Sequence, residues 1–235
     1  MLERRRCRQL NRLDRVAPVA LGVPVLEHPR RRPPVRLRVL HDQTYLAHLC
    51  TRARLSASAN SAGASGLVIM KSDGRGRRVI SSRVAPHVHV PGHVWSRAGE
   101  IFFIGSAPND PLHLFRIRPD GSQLRDLTPA QRQVESFSLS PDGRRIAFAG
   151  RVRGAGLEIF VMNADGRAVL RLTTNRQHDL EPSWSPTGGR LAFTSERDGN
   201  SEIYVMDADG TGQRNITKNR AHDSRPAWRP SAERA

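Results

Sequence analysis

Histidine and aspartate residues recur at one fixed distance before a tryptophan in this chain of 235 residues. In three places a histidine stands six residues before the tryptophan, and in two of them an aspartate follows the histidine directly. These residues are His89, His178 and His222, with Asp179 and Asp223 after the last two. Imidazole and carboxylate groups brought together could bind a peptide, a cation or a small anion. The alternative is structural, because a short polar side chain often caps the loop that enters a strand and a recurring residue usually belongs to the framework of a repeat.

A second group of histidines points to metal chemistry. His87, His89 and His93 would share one face of a strand, an arrangement compatible with zinc or nickel. Pro91 and Gly92 break that strand geometry, and no carboxylate follows nearby. We therefore expect no metal and no other cofactor. The alternative is a metal-dependent enzyme that uses these or the other recurring histidines, and stoichiometric metal after dialysis would support it.

The sequence lacks the motifs that carry common catalytic chemistry. It contains no G-x-S-x-G nucleophile elbow, no H-E-x-x-H zinc helix, no P-loop and no G-x-G-x-x-G dinucleotide loop. The stretches DADGTG and NADGRA do not complete the D-x-[DN]-x-[DN]-G calcium pattern, and Asp-Gly is typical of tight turns. The sequence therefore predicts a protein that is not an enzyme.

The net charge of +16 is unevenly distributed. Residues 1–65 hold 13 arginines against four acidic residues, a net charge of +9, whereas residues 66–235 carry +7. Arginine outnumbers lysine by 36 to 2, which is more typical of a GC-rich codon bias than of a phosphate-binding surface. This distribution indicates a basic tail attached to a better balanced domain. We do not expect nucleic-acid binding, which would depend on that tail.

Residues 1–40 form an extension rich in arginine and proline. They resemble a signal peptide, but two prolines interrupt the apolar stretch at 16–26 and no small-x-small cleavage site follows. We expect this segment to be disordered. The alternatives are that it is a signal peptide or that the start codon has been assigned too far upstream. No eighteen consecutive residues are apolar, so the sequence predicts no membrane-spanning helix. The two cysteines, Cys7 and Cys50, form no disulfide or zinc pattern.

The rest of the chain repeats itself every 44 to 45 residues. LEIFVMNADG at 157–166 recurs as SEIYVMDADG at 201–210, and RRIAFAG at 144–150 recurs as GRLAFTS at 189–195. Apolar residues alternate in these stretches, and turns such as SPDG and DADG separate them, which predicts four short antiparallel strands per unit. A four-stranded unit with this period is typical of a β-propeller blade. The sequence therefore predicts an all-β propeller of about four four-stranded antiparallel blades.

The domain boundaries follow from the repeat. We expect a single propeller domain at 41–230, in which the first copy of the repeat is the weakest. The blades are predicted at about 41–84, 86–129, 131–174 and 176–217, with a final inner strand at 224–229.

The fourth copy, PSWSPTGGRLAFTSERDGNSEIYVMDADGTGQRNIT at 182–217, resembles the TolB-like propeller repeat, and the resemblance extends clearly over 66–230 and faintly over 41–65. It implies a partner-binding module of the periplasm or cell envelope, or a cytoplasmic protein if the N-terminus is not a signal. It also implies that the recurring histidines and aspartates open the inner strand of each blade and gather at one mouth of the channel. We therefore expect a protein or peptide to bind at that mouth. The residues expected to bind it are His89, His178, Asp179, His222 and Asp223.

The chain departs from that family in two ways: it shows no amino-terminal α/β domain, and it has fewer blades than the family's propeller. It also has an unmatched inner strand at 224–229, whereas the first copy has Leu46, Ala47 and His48 where Trp-Ser-Pro is expected. We expect 224–229 to pair with the first blade; otherwise the ring is open and its blade edges could self-associate. The remaining alternative is a fragment of a larger peptidase-type protein, because some members of the wider repeat group carry a peptidase domain beside the propeller.

Overall fold

The computed structural model describes residues 54–61, 64–81, 93–106, 110–128 and 133–229. Several predicted features lie outside these residues. They are the basic extension at 1–40, the inner strand of the first blade around Leu46, and the histidines His87 and His89.

The described residues form four antiparallel sheets, each built from consecutive strands, which we call the first to fourth blades. The first blade contains β1 (Arg54–Ser61), β2 (Ala64–Lys71) and β3 (Arg78–Val79), and the second contains β4 (His93–Trp95), β5 (Ile101–Gly105), β6 (His113–Ile117) and β7 (Arg125–Asp126). The third contains β8 (Val134–Leu139), β9 (Arg145–Arg151), β10 (Leu157–Asn163) and β11 (Leu170–Arg171). The fourth contains β12 (Asp179–Trp184), β13 (Arg190–Ser195), β14 (Glu202–Asp207) and β15 (Arg214–Asn215). Over these ranges the chain has no helix of the length and hydrophobicity that crossing a bilayer requires.

Three of the four blades have the predicted four strands, paired in chain order from the inner to the outer strand. In the third blade, β9 and β10 stay in register from Arg151 opposite Leu157 to Arg145 opposite Asn163. The first blade has three strands among the described residues, and its expected inner strand lies outside them. The all-β propeller prediction is confirmed, and within the described residues the blades do not close into a ring.

Asp-Gly turns join the last two strands of every blade, as the sequence predicts. Gly166 and Gly210 have φ angles of 86° and 92°, a left-handed conformation that glycine adopts at little cost. Oδ1 of Asp209 accepts a hydrogen bond from the backbone N–H of Thr211 at 2.9 Å, and the aspartates of the other three turns accept the equivalent bond. These carboxylates therefore stabilise the turns, which agrees with the turn interpretation of the NADG and DADG stretches.

The hydrophobic core lies between neighbouring blades. One cluster combines Ala149 and Ile159 of the third blade with Phe193 and Met206 of the fourth. A cross-strand aromatic pair recurs in three blades, which shows that the same position packs in the same way each time. The pairs and their ring-centroid distances are Phe103–Phe115 at 5.4 Å, Phe148–Phe160 at 5.3 Å and Phe193–Tyr204 at 5.7 Å. The third blade packs against neighbours on both faces, and its two central strands, β9 and β10, are accordingly buried on both sides.

Where an inner strand carries a tryptophan, the indole docks that strand on the preceding blade. Nε1 of Trp184 donates to the backbone oxygen of Ser138 at 3.2 Å, and Nε1 of Trp228 donates to the backbone oxygen of Ser183 at 3.0 Å. Residues 224–229 therefore lie against the inner strand of the fourth blade, in the position of a next inner strand. Among the described residues this segment pairs with no strand of the first blade, which corresponds to the open-ring alternative.

Candidate functional site

The His-Asp pairs at 178–179 and 222–223 lie at one end of the blades, which we call the loop face. At this end the second strand of a blade turns into the third, and the fourth strand leads into the inner strand of the next blade. The register fixes this arrangement, because Asp179 pairs with Ser195 and Ser195 pairs with Glu202. The part of the loop face around these pairs consists of residues 174–178, 196–201 and 218–222.

His178 and His222 hold backbone groups at the loop face. Nδ1 of His178 accepts a hydrogen bond from the N–H of Leu157 at 3.0 Å, and Nδ1 of His222 accepts one from the N–H of Ser201 at 3.2 Å. In both cases the donor lies at the beginning of the third strand of the preceding blade. These contacts fit the loop-capping interpretation, because one nitrogen of each ring is occupied by the backbone.

Asp179 and Asp223 accept equivalent hydrogen bonds from asparagine. Oδ2 of Asp179 lies 2.6 Å from Nδ2 of Asn175, and Oδ2 of Asp223 lies 2.6 Å from Nδ2 of Asn219. Asp179 is fully buried and also pairs with Nη2 of Arg197 at 3.0 Å, whereas Asp223 is half-buried. The structure therefore places both predicted His-Asp pairs at the same end of the blades and engages them in contacts within the framework.

Two buried glutamates, which the sequence analysis did not single out, support the same loops. Oε1 of Glu158 accepts a hydrogen bond from the N–H of Asn175 at 2.9 Å, and Oε1 of Glu202 accepts one from the N–H of Asn219 at 3.0 Å. The hydroxyl of Thr217 donates to Glu202 and holds the pKa of that carboxyl below its usual value. The sequence marks these two glutamates by their recurrence, because each is the first residue of one of the matching stretches EIFVM and EIYVM.

The loop sequence N-R-x-H-D occurs twice, at 175–179 and 219–223, and both copies fold in the same way. In each copy the asparagine Oδ1 accepts a hydrogen bond from the backbone N–H two residues later, at 2.8 and 2.6 Å. The arginines of the two copies, Arg176 and Arg220, are exposed. The sequence analysis missed them, although the recurrence of NRQHD as NRAHD after 44 residues is a signal that identifies them.

A polar cluster of the fourth blade lies beside these loops. The guanidinium of Arg197 stands 4.5 Å from the ring centroid of Tyr204 and donates to Gln213 at 2.8 Å. The hydroxyl of Tyr204 donates to Asp198, and Nδ2 of Asn215 donates to the same carboxylate oxygen at 2.8 Å. Burial raises the pKa of Tyr204 to about 12, and the hydrogen bond from Tyr204 holds the pKa of Asp198 below its usual value. At neutral pH the cluster therefore pairs a neutral phenol with a charged carboxylate.

Glu181 and Arg225 occupy equivalent positions where the chain departs from a regular inner strand. Their φ angles are 53° and 57°, which are uncommon for residues other than glycine, and the β12–β13 register shifts between Leu180 and Ser183. The N–H of Arg225 donates to Oε2 of Glu181 at 2.8 Å, and its Nε donates to Oε1 at 3.1 Å. Together with the bond from Trp228 to Ser183, these bonds hold residues 224–229 against the inner strand of the fourth blade.

The three-histidine group of the metal alternative is described only in part. His93 lies on β4, with its Nε2 3.1 Å from the backbone oxygen of Ser56, and burial lowers its pKa. His87 and His89 lie outside the described residues, so both the three-histidine site and the contribution of His89 to the channel mouth stay predictions. In the part of the chain that the structure describes, no three histidine, cysteine, aspartate or glutamate side chains group as a metal ion would require.

The family comparison agrees with this architecture. The model of the TolB beta propeller domain matches residues 58–234, which include all four blades except the first residues of β1. No curated protein matches the chain significantly.

Solved structures share the fold at low sequence identity. TolB from Acinetobacter baumannii is 23% identical with a TM-score of 0.61, and the alignment covers 76% of this chain and 47% of that one. A protein assigned as TolB from Agrobacterium tumefaciens is 22% identical with a TM-score of 0.59, over 69% of this chain and 60% of that one. A puromycin-hydrolyzing peptidase from Mycobacterium tuberculosis is 18% identical with a TM-score of 0.56, over 70% of this chain and 29% of that one. The match spans less than two thirds of each of these proteins, and the likeness shows the fold alone.

Proposed function

Because the chain belongs to the TolB β-propeller domain family, we propose that it is a non-catalytic module that binds a protein segment or peptide on its loop face. The binding surface consists of the exposed side chains of residues 174–178 and 218–222, beside the mouth of the channel that a propeller encloses. The proposed location is the periplasm or cell envelope, as the resemblance to the family implies.

One observation carries this proposal: two loops in successive repeats have the same internal bonds and expose the same residue type. His178 and His222 fix the ends of these loops, and the exposed guanidinium groups are those of Arg176 and Arg220. A loop that is already ordered loses little conformational freedom when a partner binds. Arginine is also enriched among the residues that dominate the energy of protein interfaces. The loop face is therefore suited to hold an extended segment across successive blades.

The proposal assigns an indirect role to the residues that the sequence analysis placed in the site. His178, Asp179, His222 and Asp223 position the loops through the bonds described above. Direct contact with the partner is assigned to the arginine between the asparagine and the histidine in each loop. Substituting one of the positioning residues is therefore expected to weaken binding together with stability, whereas substituting the arginines weakens binding alone.

A peptide selection with matched variants tests the proposal. A library of random twelve-residue peptides displayed on phage is selected against the immobilised chain, and enriched peptides are synthesised and titrated by fluorescence anisotropy. The loop-face variant carries Arg176→Glu and Arg220→Glu. The control variant carries Arg144→Glu and Arg167→Glu, two exposed arginines at the opposite end of the blades, so both variants change the net charge equally.

We expect the enriched peptides to bind the control variant as they bind the unchanged chain, and to bind the loop-face variant about tenfold more weakly or worse. Peptides that lose affinity equally for both variants would show a general charge effect and contradict the proposal. Failure to enrich any peptide that binds saturably contradicts it as well.

A further inference from the structure

A cluster of positive charge lies at the end of the blades opposite the loop face, which we call the hairpin face. The hairpin at 71–79, with the sequence KSDGRGRRV, carries four basic residues and one aspartate, a net charge of +3. An arginine of the next hairpin, Arg118, continues the cluster. The basic patch consists of Lys71, Arg75, Arg77, Arg78 and Arg118, all of which are exposed.

Backbone bonds fix the geometry of this patch. The N–H of Lys71 donates to the backbone oxygen of Arg75 at 2.9 Å, and the N–H of Gly74 donates back to the oxygen of Lys71 at 2.9 Å. Nη2 of Arg78 donates to the backbone oxygen of Pro119 at 2.9 Å, which ties the first hairpin to the second. The two hairpins therefore present their charges as one surface.

The carboxylates within these two hairpin tips do not neutralise the patch. Oδ1 of Asp73 accepts the N–H of Arg75 at 3.0 Å, and Oδ1 of Asp120 accepts the N–H of Ser122 at 2.8 Å, so both aspartates stabilise their own turns. Within the described ranges, no carboxylate oxygen lies within 4.0 Å of a charged nitrogen of the patch, since every ion pair there involves other cations. The charges of Lys71, Arg75, Arg77 and Arg78 therefore stay available to a partner, whereas that of Arg118 is partly offset by the nearby charge of Asp120.

Equivalent positions in the other blades differ in charge, so the patch is more than a consequence of the arginine content of the chain. The position of Lys71 is taken by Arg118, Asn163 and Asp207 in the second, third and fourth blades, each of which closes the same turn through the same backbone bonds. The fourth hairpin, at 207–215, carries one arginine and two aspartates, a net charge of −1. By the same count the second and third hairpins, at 118–126 and 163–171, carry net charges of 0 and +1, so the positive charge is concentrated on the first hairpin, with Arg118 beside it.

We propose that the basic patch binds a short acidic segment of a partner protein. Guanidinium groups pair with carboxylates through two parallel hydrogen bonds, and several arginines on one hairpin can engage successive acidic side chains. A bilayer or a nucleic acid lying across the whole hairpin face would also meet the exposed aspartates of the fourth hairpin, Asp209 and the Arg190-paired Asp207. A short segment that covers only the first hairpin and Arg118 avoids that repulsion. The patch and the loop face lie at opposite ends of the blades, so this inference is independent of the proposed function.

Binding of a fluorescein-labelled octamer of glutamate to the full chain, followed by anisotropy, tests this inference. The patch variant carries Arg75→Glu and Arg77→Glu, and a milder variant carries Arg75→Gln and Arg77→Gln. The control variant carries Arg167→Glu and Arg214→Glu, in which Arg167 occupies the turn position equivalent to Arg75 and Arg214 the position equivalent to Arg78. An octamer of lysine, vesicles of phosphatidylglycerol and a single-stranded oligonucleotide are measured in parallel.

We expect saturable binding of the glutamate octamer that weakens as salt is raised, about tenfold or more weaker binding to the patch variant, and a smaller loss with the glutamine variant. The control variant should bind within about twofold of the unchanged chain. Absence of saturable binding, or an equal loss in the control variant, overturns the inference. Tighter binding of the vesicles or the oligonucleotide than of the peptide, with the same dependence on the patch, also overturns it. If binding of the glutamate octamer is lost instead in the variant with Arg176→Glu and Arg220→Glu, the inference is overturned and a role for the loop face is supported.

Discussion

Replacement of Asp179 by alanine should destabilise the fold strongly. The side chain is fully buried, and its Oδ2 accepts hydrogen bonds from Asn175 Nδ2 at 2.6 Å and Arg197 Nη2 at 3.0 Å. Its Oδ1 has no hydrogen-bond partner in the structure, so the ion pair with Arg197 is the main compensation for burying the charge. Alanine removes the carboxylate and leaves the guanidinium and the amide without this partner.

The magnitude follows from the burial of the two partners. Breaking a buried ion pair by removing one member costs about 3–5 kcal/mol. The side chain of Arg197 is 22% exposed and keeps its bonds to Ser195 and Gln213, both at 2.8 Å, so part of its charge is compensated after the substitution. We therefore expect the free energy of unfolding of Asp179→Ala to fall by about 2–4 kcal/mol. With an m-value of about 2 kcal/mol/M, the urea midpoint followed by circular dichroism should fall by about 1–2 M.

Asp223 provides the matched control, because it occupies the same position in the next repeat. Its carboxylate accepts the same bond from Asn219 at 2.6 Å, but it is half-buried and pairs with no arginine among the described residues. Asp223→Ala should therefore lower the free energy of unfolding by no more than about 1 kcal/mol. Equal losses for the two variants would refute the reasoning, because they would show that burial and the Arg197 pair do not determine the cost.

Three further outcomes are expected. Ala168 has a φ of 53° at the turn position where the fourth blade has Gly212, so Ala168→Gly should raise the melting temperature through a gain of about 0.5–1 kcal/mol, and a decrease would contradict the strain argument. Trp184→Phe removes the bond to the backbone oxygen of Ser138 while keeping most of the packing, and it should cost about 1–2 kcal/mol in urea unfolding. Burial raises the pKa of Tyr204 from 10.0 to about 12, so the folded chain holds this proton more tightly than the unfolded chain. The stability that this pKa difference contributes is fully present below the unfolded pKa and is lost as the pH rises through about 12. A pH titration followed by tyrosinate absorbance, in a variant whose other tyrosine is changed to phenylalanine, should have its midpoint at about 12. A midpoint near 10 would contradict this expectation.

The blades could be predicted from the sequence because local chemistry determines them. The 44-residue recurrence of EIFVM as EIYVM marks the third strands, and the Asp-Gly turns mark where they end. Both features depend on residues close together in the chain, and the structure confirms them in β10 and β14. The position of residues 224–229 could not be read in the same way. It depends on which blade offers a place to dock Trp228, and that contact joins residues 45 positions apart.

The candidate site was only partly predictable for a similar reason. The recurring distance to tryptophan identified His178 and Asp179 as candidates. The role of a histidine, however, depends on which groups its ring nitrogens form hydrogen bonds with. The backbone N–H that His178 holds belongs to Leu157, 21 residues earlier and on the preceding blade. Hydrophobic periodicity gives no signal for such a contact. Arg176 was missed because the repeat was aligned on its histidine and aspartate rather than on the full N-R-x-H-D sequence.

Residues that recur in this chain and residues that vary at equivalent positions carry different information. A side chain that is kept in successive repeats, such as His178 and His222, accepts a hydrogen bond from an equivalent backbone N–H each time. The first residue of the hairpin turn closes the turn through backbone bonds alone, so different side chains are compatible with the same turn. That position changes from Lys71 to Asp207 around the propeller while the turn stays the same. At the hairpin face, partner selection is therefore to be sought in residues that vary between repeats, and the net charge there runs from +3 on the first hairpin to −1 on the fourth.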